Sequence, residues 1–359
     1  MHYCFPTVGS WEGASSFVRL REFGSEMCKR GIDVTYVVDD IPFNRDPKNL
    51  NLHEKARVVF TPNAGSLKQI PSRRTTIRDV NADAIHVLNP MPKSWMALVG
   101  SNAARGKLVA DWDMWQARSK RPPIESILAR TADRWARNHA ALHVVASKYL
   151  QAEFRRQFRI ESAYVPFATY LESRRPDGQS PYAQPTAVYL GNLYDSVYDH
   201  DLVFHAMKLL KDRGRALPLS VVGSGPDQEK WQRWVVEQNL SNVKLTGFLT
   251  GDDLWRHVRH GEVLLFPIRP TLQNLCRCPS KTFAYAQARR PIIANRVGEV
   301  EELLRDNATY VDTTPEAFAD AIDQALSERR GDVEYDLTGQ TWSARTDDLL
   351  DALRARKLL

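Results

Sequence analysis

The sequence predicts an α/β fold made of two similar domains, each built on a parallel β-sheet. The chain has 359 residues, of which 43% are hydrophobic, and this is more than a single compact core usually holds. Short apolar strand patterns alternate with longer helical patterns, which is typical of βαβ units and parallel sheets. One stretch near the middle is rich in proline, glycine, serine and charge, as linkers are.

The first half of the chain contains six strand patterns and one well-defined early helix. Strands are predicted at residues 2–8, 33–38, 56–61, 83–88, 107–112 and 141–146. A helix is predicted over 14–30, ending at Gly31, because its apolar residues recur three or four positions apart. These residues are Phe17, Leu20, Phe23 and Met27.

A further strand near 162–166 leads into the linker ESRRPDGQSPYAQP, which places the domain boundary near 173–185. The second half then repeats the rhythm, with strands predicted at 187–191, 217–223, 243–246, 262–267, 291–294 and 308–311. A last helix is predicted at about 342–356. Two such Rossmann-like domains predict a cleft, and sheets of this kind bind ligands at the carboxyl ends of their strands.

Cysteine usage and hydropathy indicate a soluble cytoplasmic protein. The N-terminus lacks the basic and apolar regions of a signal peptide, and no stretch approaches the roughly 18 apolar residues of a membrane span. The four cysteines are too few and too scattered for a disulfide framework, so reduced thiols are expected. Cys276 and Cys278 lack a second pair or a nearby histidine, which makes a zinc site improbable.

The positive charge is concentrated in the first half. Residues 1–172 hold 25 Lys and Arg against 17 Asp and Glu, whereas the remainder holds 24 against 26. Such a surface could meet anionic lipid at the inner face of a membrane, nucleic acid or a phosphorylated acceptor. Ordinary solvated helix faces would explain the same excess.

Two glycine-containing turns follow predicted strands. Gly9, Ser10 and Gly13 lie where the first strand enters a helix, and small residues there let backbone N–H groups approach a ligand. A tight turn without a ligand explains them equally well. Gly223 and Gly225 form a Gly-x-Gly, but the third glycine of the dinucleotide fingerprint is missing, which disfavours NAD.

The most informative segment joins a strand end at 266–267 to a predicted helix that begins with Pro279, Ser280 and Lys281. Its polar loop contains Arg269, Gln273, Asn274 and Arg277. Two cations beside a helix N-terminus suit a diphosphate, although solvated loop cations are the simpler alternative.

From these residues onward the chain resembles the GT-B glycosyltransferases of the group 1, or family four, type. The resemblance extends through VYLGNL, LPLSVVGSGPDQ, VKLTGFLTGDDL, EVLLFPI and RCPSKTFAYAQARRPIIANRVGEVEELL, and so covers most of residues 187–304. It implies an acceptor-binding domain at 1–175, a nucleotide-sugar-binding domain at 185–340 and a helix at 341–359 that crosses back to the first domain.

The resemblance also implies the positions of the donor contacts. Arg277 and Lys281 would contact the phosphates, Gly223 and Gly225 would let the chain pass close to the nucleotide, and no protein-bound metal or other cofactor would be needed. The remaining implied donor contacts are Asn192, Phe248, Leu249, Asn274, Ser280, Gly298 and Glu299.

The chain departs from the family at two points. Ala284 occupies the position where the family usually has a glutamate for the ribose hydroxyls, and Gln287 is one helical turn further on. The loop that normally offers an arginine and then a lysine to the phosphates begins Gly191-Asn192-Leu193 and contains neither. The identity of the donor therefore stays open.

The acceptor side is predicted around the strand KLVADWDMW. Asp113, with Asp111 as second choice, could take a proton from an acceptor hydroxyl, and Trp112 or Trp115 could stack on a sugar ring. A capped strand with tryptophans in the core is the equal alternative. His86 on a neighbouring strand is a third catalytic candidate, although a lone histidine among apolar neighbours is more often a core residue.

Together these features predict a glycosyltransferase that moves a sugar from a nucleotide-sugar donor to a glycan, lipid-linked or small-molecule acceptor. The resemblance implies retention of configuration, with the leaving phosphate helping to deprotonate the acceptor. Two alternatives remain. One is transfer to a modified base of nucleic acid, although the sequence contains no recognised nucleic-acid-binding motif. The other is a non-catalytic or epimerase relative of the same fold, suggested by Ala284.

Overall fold

The computed structural model describes the whole chain except residues 13–14, 64–67, 91, 102–103, 120, 171–177 and 196–197, together with the side chains of Ser15 and Pro92. The chain divides into two compact units. Unit 1 comprises Met1–Thr169, Leu275–Cys278 and Gly339–Leu359, and unit 2 comprises Tyr170–Asn274 and Pro279–Thr338. The division between Thr169 and Tyr170 lies just before the predicted linker.

Unit 1 is built on a seven-stranded parallel sheet. Its strands are β1 (His2–Pro6), β2 (Asp33–Asp40), β3 (Arg57–Pro62), β4 (Ala84–Leu88), β5 (Leu108–Trp112), β6 (Leu142–Val145) and β7 (Ala163–Tyr164). They lie in the order β3-β2-β1-β4-β5-β6-β7. The central strands are buried on both faces, which is why they appear in the sequence as continuous apolar runs.

Helices flank this sheet. They are α1 (Ser15–Lys29), α2 (Pro42–Arg45), α3 (Pro47–Leu50), α4 (Ile70–Val80), α5 (Pro92–Trp95), α6 (Pro123–His139) and α7 (Lys148–Phe158), with a 3-10 turn at Gln116–Arg118. Predicted helix 14–30 corresponds to α1, whose Phe23 and Met27 are fully buried. The short helices α2 and α3 have no counterpart among the sequence predictions.

Unit 2 repeats the architecture with six parallel strands. They are β8 (Ala187–Leu190), β9 (Leu219–Val222), β10 (Val243–Gly247), β11 (Val263–Phe266), β12 (Ile292–Ala294) and β13 (Thr309–Tyr310). Their order is β10-β9-β8-β11-β12-β13. The helices are α8 (Asp201–Asp212), α9 (Gln228–Glu237), α10 (Gly251–Arg259), α11 (Leu272–Cys276), α12 (Lys281–Ala288), α13 (Glu299–Leu304) and α14 (Pro315–Glu328), with a 3-10 turn at Arg305–Asn307. The last two residues of α11 are assigned to unit 1. Both units thus confirm the predicted α/β class, with sheets that have the doubly wound strand order.

The last helix, α15 (Trp342–Ala355), belongs to unit 1. Trp342 packs edge-on against Phe23 of α1, with ring centres 5.6 Å apart. Arg30 at the end of α1 donates to the carbonyl and hydroxyl oxygens of Ser343 and pairs with Asp347. These contacts hold α15 against the first helix of the chain.

Candidate functional site

In each unit the strand order reverses beside the first strand, and this switch point is where an open α/β sheet offers a crevice to a ligand. In unit 2 it lies between the carboxyl ends of β8 and β11. Tyr285 of α12 joins these ends, because its buried hydroxyl donates to the Leu265 carbonyl at 3.0 Å and accepts the Leu190 N–H at 2.7 Å. This residue was not predicted to be part of the site.

Lys281, the first residue of α12, points its ammonium at aromatic rings from both of these strands. Its Nζ lies 4.5 Å from the ring centre of Phe266, 4.9 Å from that of Tyr189 and 5.5 Å from that of Tyr198. Cation–π attraction therefore holds the ammonium at the switch point. Ser280 is the N-cap residue and forms no side-chain cap with the helix.

Two predicted glycines have a local packing reason. Gly223 has φ 140°, and a Cβ there would overlap the carbonyl group of Gly191. A Cβ on Gly225 would overlap the side chain of Asn192 and the carbonyl of Leu193. The loops after β8 and β9 therefore approach each other so closely that only glycine fits.

The loop after β8 contains several aspartates, and cations from other elements neutralise them. Arg269 forms ion pairs with Asp199 and Asp201, while Asn274 donates to Asp199 at 3.1 Å. The hydrogen bonds that Arg269 donates to Asp201 and Asp199 raise its pKa against the effect of burial. Arg269 was not among the predicted donor residues, and its two partners precede it by about 70 residues.

A second cluster in the same loop centres on Asp195. It accepts hydrogen bonds from the Trp231 indole at 2.7 Å and from Lys230, and its carboxylate lies 2.7 Å from the Nε2 atom of buried His200. Burial lowers the pKa of His200, against the raising effect of Asp195. The resemblance implies that this loop normally offers an arginine and a lysine to the phosphates. In this chain the loop holds Asp195, which is bound by Trp231, Lys230 and His200.

The other predicted donor residues lie at two places in unit 2, after β10 and at the start of α13. Phe248 follows β10 with 75% of its surface exposed, and Leu249 beside it is partly buried. Gly298 has φ 53° and caps α13, whose first residue, Glu299, is buried. Ala284 offers no carboxylate, and the Gln287 amide donates to the Tyr170 carbonyl.

Arg277 is separated from Lys281 in the division of the chain. It belongs to the four residues Leu275–Cys278 that form part of unit 1, whereas Ser280 and Lys281 belong to unit 2. Its neighbour Cys276 is fully buried in a cluster with Trp112 and Trp115. Burial raises the pKa of the Cys276 thiol to about 12. All four cysteines are buried and free.

In unit 1 a fully buried hydrogen-bond chain runs across strands β1, β4 and β5. The Tyr3 hydroxyl contacts His86 Nδ1 at 2.8 Å, His86 Nε2 lies 3.1 Å from the Asp111 carboxylate, and Arg19 of α1 binds the same carboxylate at 2.7 Å. Arg19 also donates to the carbonyls of Val165 and Pro166. His86 and Asp111 therefore have the environment of core residues. A core role was the alternative to catalysis in the sequence analysis.

Asp113 lies just beyond the carboxyl end of β5 and is bound by residues from two other elements. Ser16 of α1 donates to its carboxylate at 2.5 Å, and Asn89 after β4 donates to the other oxygen. The Asn89 side-chain oxygen in turn accepts the Asp113 N–H at 3.1 Å. Burial raises the pKa of Asp113 above its ordinary value, against the lowering effect of these hydrogen bonds.

The turn after β1 is anchored by buried polar residues. Gly9, at φ 94°, donates its N–H to Asp39 at 2.8 Å, and its carbonyl accepts a hydrogen bond from Asn44. Asp39 also pairs with buried Arg73. Ser10 is exposed, and Gly13 lies outside the described residues.

Trp112 and Trp115 pack in the core of unit 1. Their ring centres lie 4.8 and 5.9 Å from that of Phe154, and the Trp112 indole donates to Asp133 at 2.9 Å. The sequence analysis gave two alternatives for these tryptophans, core packing and stacking on a sugar, and their contacts are those of core packing. Among the described residues, no three His, Cys, Asp or Glu side chains converge as metal ligands. In the same part of the chain, no helix is long and apolar enough to cross a bilayer.

The two parallel sheets and their switch points define the GT-B class of fold, and solved structures match it over the whole chain. HepE of Anabaena, solved in complex with UDP and glucose, has a TM-score of 0.69 at 14% identity, covering 99% of this chain and 95% of that one. The lipopolysaccharide outer core galactosyltransferase WaaB gives 0.68 at 12% identity, covering 99% and 100%. At these identities the likeness establishes the fold.

Sequence comparison matches part of the chain to a family. The model of Glycosyl transferases group 1 matches residues 184–328. An α-D-kanosaminyltransferase of Streptomyces kanamyceticus is 24% identical over 219 residues, which are 56% of this chain and 55% of the relative. The match thus spans about half the length of that relative. The chain has the GT-B fold, and the group 1 model matches most of its second unit, as the resemblance predicted.

Proposed function

We propose that this protein is a glycosyltransferase that moves a sugar from a nucleoside-diphosphate sugar to an acceptor hydroxyl. The observation that supports the proposal most is the position of Lys281. Its ammonium lies over Phe266 and Tyr189 at the switch point of unit 2, within the region that the group 1 model matches. A fixed cation at this place suits the negative charge that develops on a departing diphosphate.

Two other cations of unit 2 are paired with aspartates of the segment after β8. Arg269 is bound by two aspartates, and Lys230 is bound by Asp195. The nearby aspartates would repel a diphosphate if they were unpaired, so Arg269 and Lys230 make the loop after β8 compatible with an anion. Lys281, helped by the first turn of α12, then supplies the positive charge, and we infer that transfer needs no protein-bound metal.

The first donor to test is a uridine diphosphate sugar. HepE was solved with UDP and glucose and with UDP-glucose. In this chain the exposed ring of Phe248 follows Gly247 at the carboxyl end of β10, where a base could stack on it. We infer that Phe248 and Leu249 contact the base and that Gly298 and Glu299 lie near the sugar or phosphates.

On the acceptor side we propose Asp113 as the residue that orients the hydroxyl. It follows β5, next to the switch point of unit 1, and its carboxylate is held by Ser16 and Asn89. The raised pKa favours a carboxyl that can exchange a proton near an acceptor. Asp111 is fully buried and paired with Arg19, so it supports β5 rather than the acceptor.

The stereochemistry and the acceptor are proposed from the resemblance. Retention would let the leaving phosphate deprotonate the incoming hydroxyl, and such a reaction needs positioning and charge stabilisation more than a strong base. A glycan, a lipid-linked sugar or a glycosylated small molecule would each provide the hydroxyl. We also propose a cytoplasmic protein whose basic N-terminal unit contacts an anionic membrane.

The proposal is tested by incubating the purified protein with UDP, GDP, ADP and dTDP sugars and a panel of glycan acceptors. Release of a nucleoside diphosphate together with a glycosylated product is expected for one donor, and Lys281→Ala should abolish it. Lys244→Ala is the matched control, because Lys244 is an exposed lysine of β10 in the same unit. Isomerised sugar formed from donor alone would favour an epimerase and overturn the proposal.

A further inference from the structure

Four arginines line a cavity of about 400 Å³ in unit 1. Of the residues that line this cavity, only Trp115 was predicted to contact the donor or the acceptor. The cavity lies between α6 and the 3-10 turn that precedes it. The arginines are Arg118, Arg130, Arg134 and Arg137. The remaining lining residues are Trp115, Ala117, Asp133 and Phe158.

The cavity has a clear excess of positive charge. Among the described lining residues Asp133 is the one with an acidic side chain, and this buried carboxylate already accepts hydrogen bonds from the Trp112 indole and from Arg137. Among the described residues, neither Arg130 nor Arg134 has a side-chain hydrogen bond or ion pair. Both residues are exposed, so their guanidinium groups can bind an external anion.

The other two arginines are held in place by aromatic rings. The guanidinium carbon of Arg137 lies 3.7 Å from the ring centre of Phe158, and that of Arg118 lies 4.3 Å from the ring centre of Trp115. Stacking restricts these side chains and directs their N–H groups sideways. In the described part of the chain, the buried indole N–H of Trp115 also has no acceptor.

Apolar side chains are exposed on the same helix. The exposed fractions are 75% for Ile124, 65% for Ile127 and 42% for Leu128. The opposite side of α6 is buried through Ala129, Ala132, Asp133 and Ala136. At 100° per residue, Ile127, Arg130 and Arg134 share one outward face, and Ile124 and Leu128 lie beside it.

We propose that this surface, formed by α6 and its arginine cavity, docks on an anionic phospholipid membrane. Headgroup phosphates bind Arg130 and Arg134 in the cavity, and Ile124, Ile127 and Leu128 enter the boundary between headgroups and acyl chains. An amphipathic helix with arginines beside exposed isoleucine and leucine suits this interface. A second copy of the same positively charged surface would be repelled, and a soluble phosphate would leave the three apolar side chains uncovered.

The inference locates the membrane contact proposed above and can fail independently of sugar transfer. Its test is sedimentation of the full chain with vesicles of phosphatidylglycerol and phosphatidylcholine, compared with vesicles of phosphatidylcholine alone. Arg130→Glu/Arg134→Glu is the main variant. Arg57→Glu/Arg105→Glu is its matched control, since these two arginines of unit 1 are exposed elsewhere and the change in net charge is the same. Ile124→Ser is compared with Val236→Ser, because both side chains are 75% exposed.

The wild-type chain should bind the anionic vesicles only, and binding should fall as salt rises. Arg130→Glu/Arg134→Glu should weaken it at least about 25-fold, since each arginine near an anionic surface contributes roughly a factor of five. Its control should change binding by less than about threefold, and Ile124→Ser should weaken binding while Val236→Ser does not. In vesicle-free assays the arginine variant should transfer sugar normally.

Three results would overturn the inference. The first is equal weakening by both charge-reversed pairs, which would indicate a diffuse attraction. The second is thermal stabilisation by glycerol phosphate that needs Arg130 and Arg134, without vesicle binding, which would assign the cavity to a soluble anion. The third is a dimer in sedimentation equilibrium that Ile124→Ser dissociates, which would assign the apolar face to a second copy.

Discussion

Asp111 and Asp113 flank Trp112 at the end of one strand, yet the pKa values of their carboxyls are shifted in opposite directions. Burial raises both pKa values, but at Asp111 the ion pair with Arg19 and the hydrogen bond from His86 outweigh it and leave a lowered pKa. At Asp113 burial prevails over the hydrogen bonds from Ser16 and Asn89, and the pKa is raised. The folded state therefore stabilises the ionised form of Asp111 and disfavours that of Asp113.

Replacing the two aspartates should change stability in different ways. Asp111 contributes stability above its ordinary pKa of 3.8, and this is lost as pH falls through its lower folded value. Asp111→Asn leaves Arg19 buried without a charged partner and should cost about 3–5 kcal/mol at pH 7. Asp113 contributes stability only below its ordinary pKa and loses it as pH rises through its higher folded value. Asp113→Asn should leave the melting temperature at pH 7 unchanged or raise it.

Thermal unfolding between pH 4 and pH 8 measures both effects. The difference in melting temperature between Asp113→Asn and the wild type should shrink as pH falls and Asp113 becomes protonated. Equal losses of stability for the two variants at pH 7 would contradict the assigned environments.

The same Asp113→Asn variant should be impaired in transfer while it still binds the donor. If the carboxylate orients the acceptor hydroxyl, kcat/KM for the acceptor should fall about 10- to 100-fold, within the range of proton-transfer contributions. Affinity for the nucleoside diphosphate should stay within about twofold, because Lys281 and the other proposed donor residues except Arg277 lie in unit 2. An unchanged kcat/KM would remove Asp113 from the acceptor site.

A methyl group on Gly225 should destabilise unit 2. Its Cβ would overlap the Leu193 carbonyl and the Asn192 side chain, so Gly225→Ala should cost about 1–3 kcal/mol by overpacking. Gly331→Ala is the control, because an added Cβ there has no atom of the described chain within 4 Å. Denaturant unfolding should therefore separate the two variants, and equal midpoints would mean that the loops after β8 and β9 do not pack as described.

Transfer should persist in the presence of a chelator. We attribute the positive charge that stabilises the leaving diphosphate to Lys281. A large molar excess of EDTA over the protein should therefore change kcat by less than about twofold. A full loss of activity that Mg²⁺ or Mn²⁺ restores would show that a metal ion supplies this charge.

The strands were predictable because buried parallel strands leave continuous apolar runs in the sequence. Residues 83–88, for example, correspond to β4 at Ala84–Leu88. The pairing of Arg269 with Asp199 and Asp201 was not predictable, since it joins side chains about 70 residues apart. The same holds for Tyr285, whose hydroxyl bridges two strands, and for Cys276, which lies between the two segments of unit 2 in the chain but packs with Trp115. Such contacts depend on tertiary packing and leave no periodic pattern.

The group 1 resemblance supplied the position of Lys281, while its aromatic setting came from the structure. Tyr189 and Phe266 had no role assigned from the sequence, although each lies in a predicted strand. Conversely, Gly223 and Gly225 were predicted to contact the nucleotide, and the structure shows that close packing of the loops after β8 and β9 also requires glycine at both positions.

Calorimetric titration of UDP into the wild-type chain, Lys281→Ala and Lys244→Ala tests the central claim most directly. The account predicts that the wild type and Lys244→Ala bind UDP equally and that Lys281→Ala binds it about 10- to 100-fold more weakly, as expected for loss of a charge-assisted contact. Equal UDP affinity in Lys281→Ala and Lys244→Ala would contradict the assignment of the donor site to the switch point of unit 2.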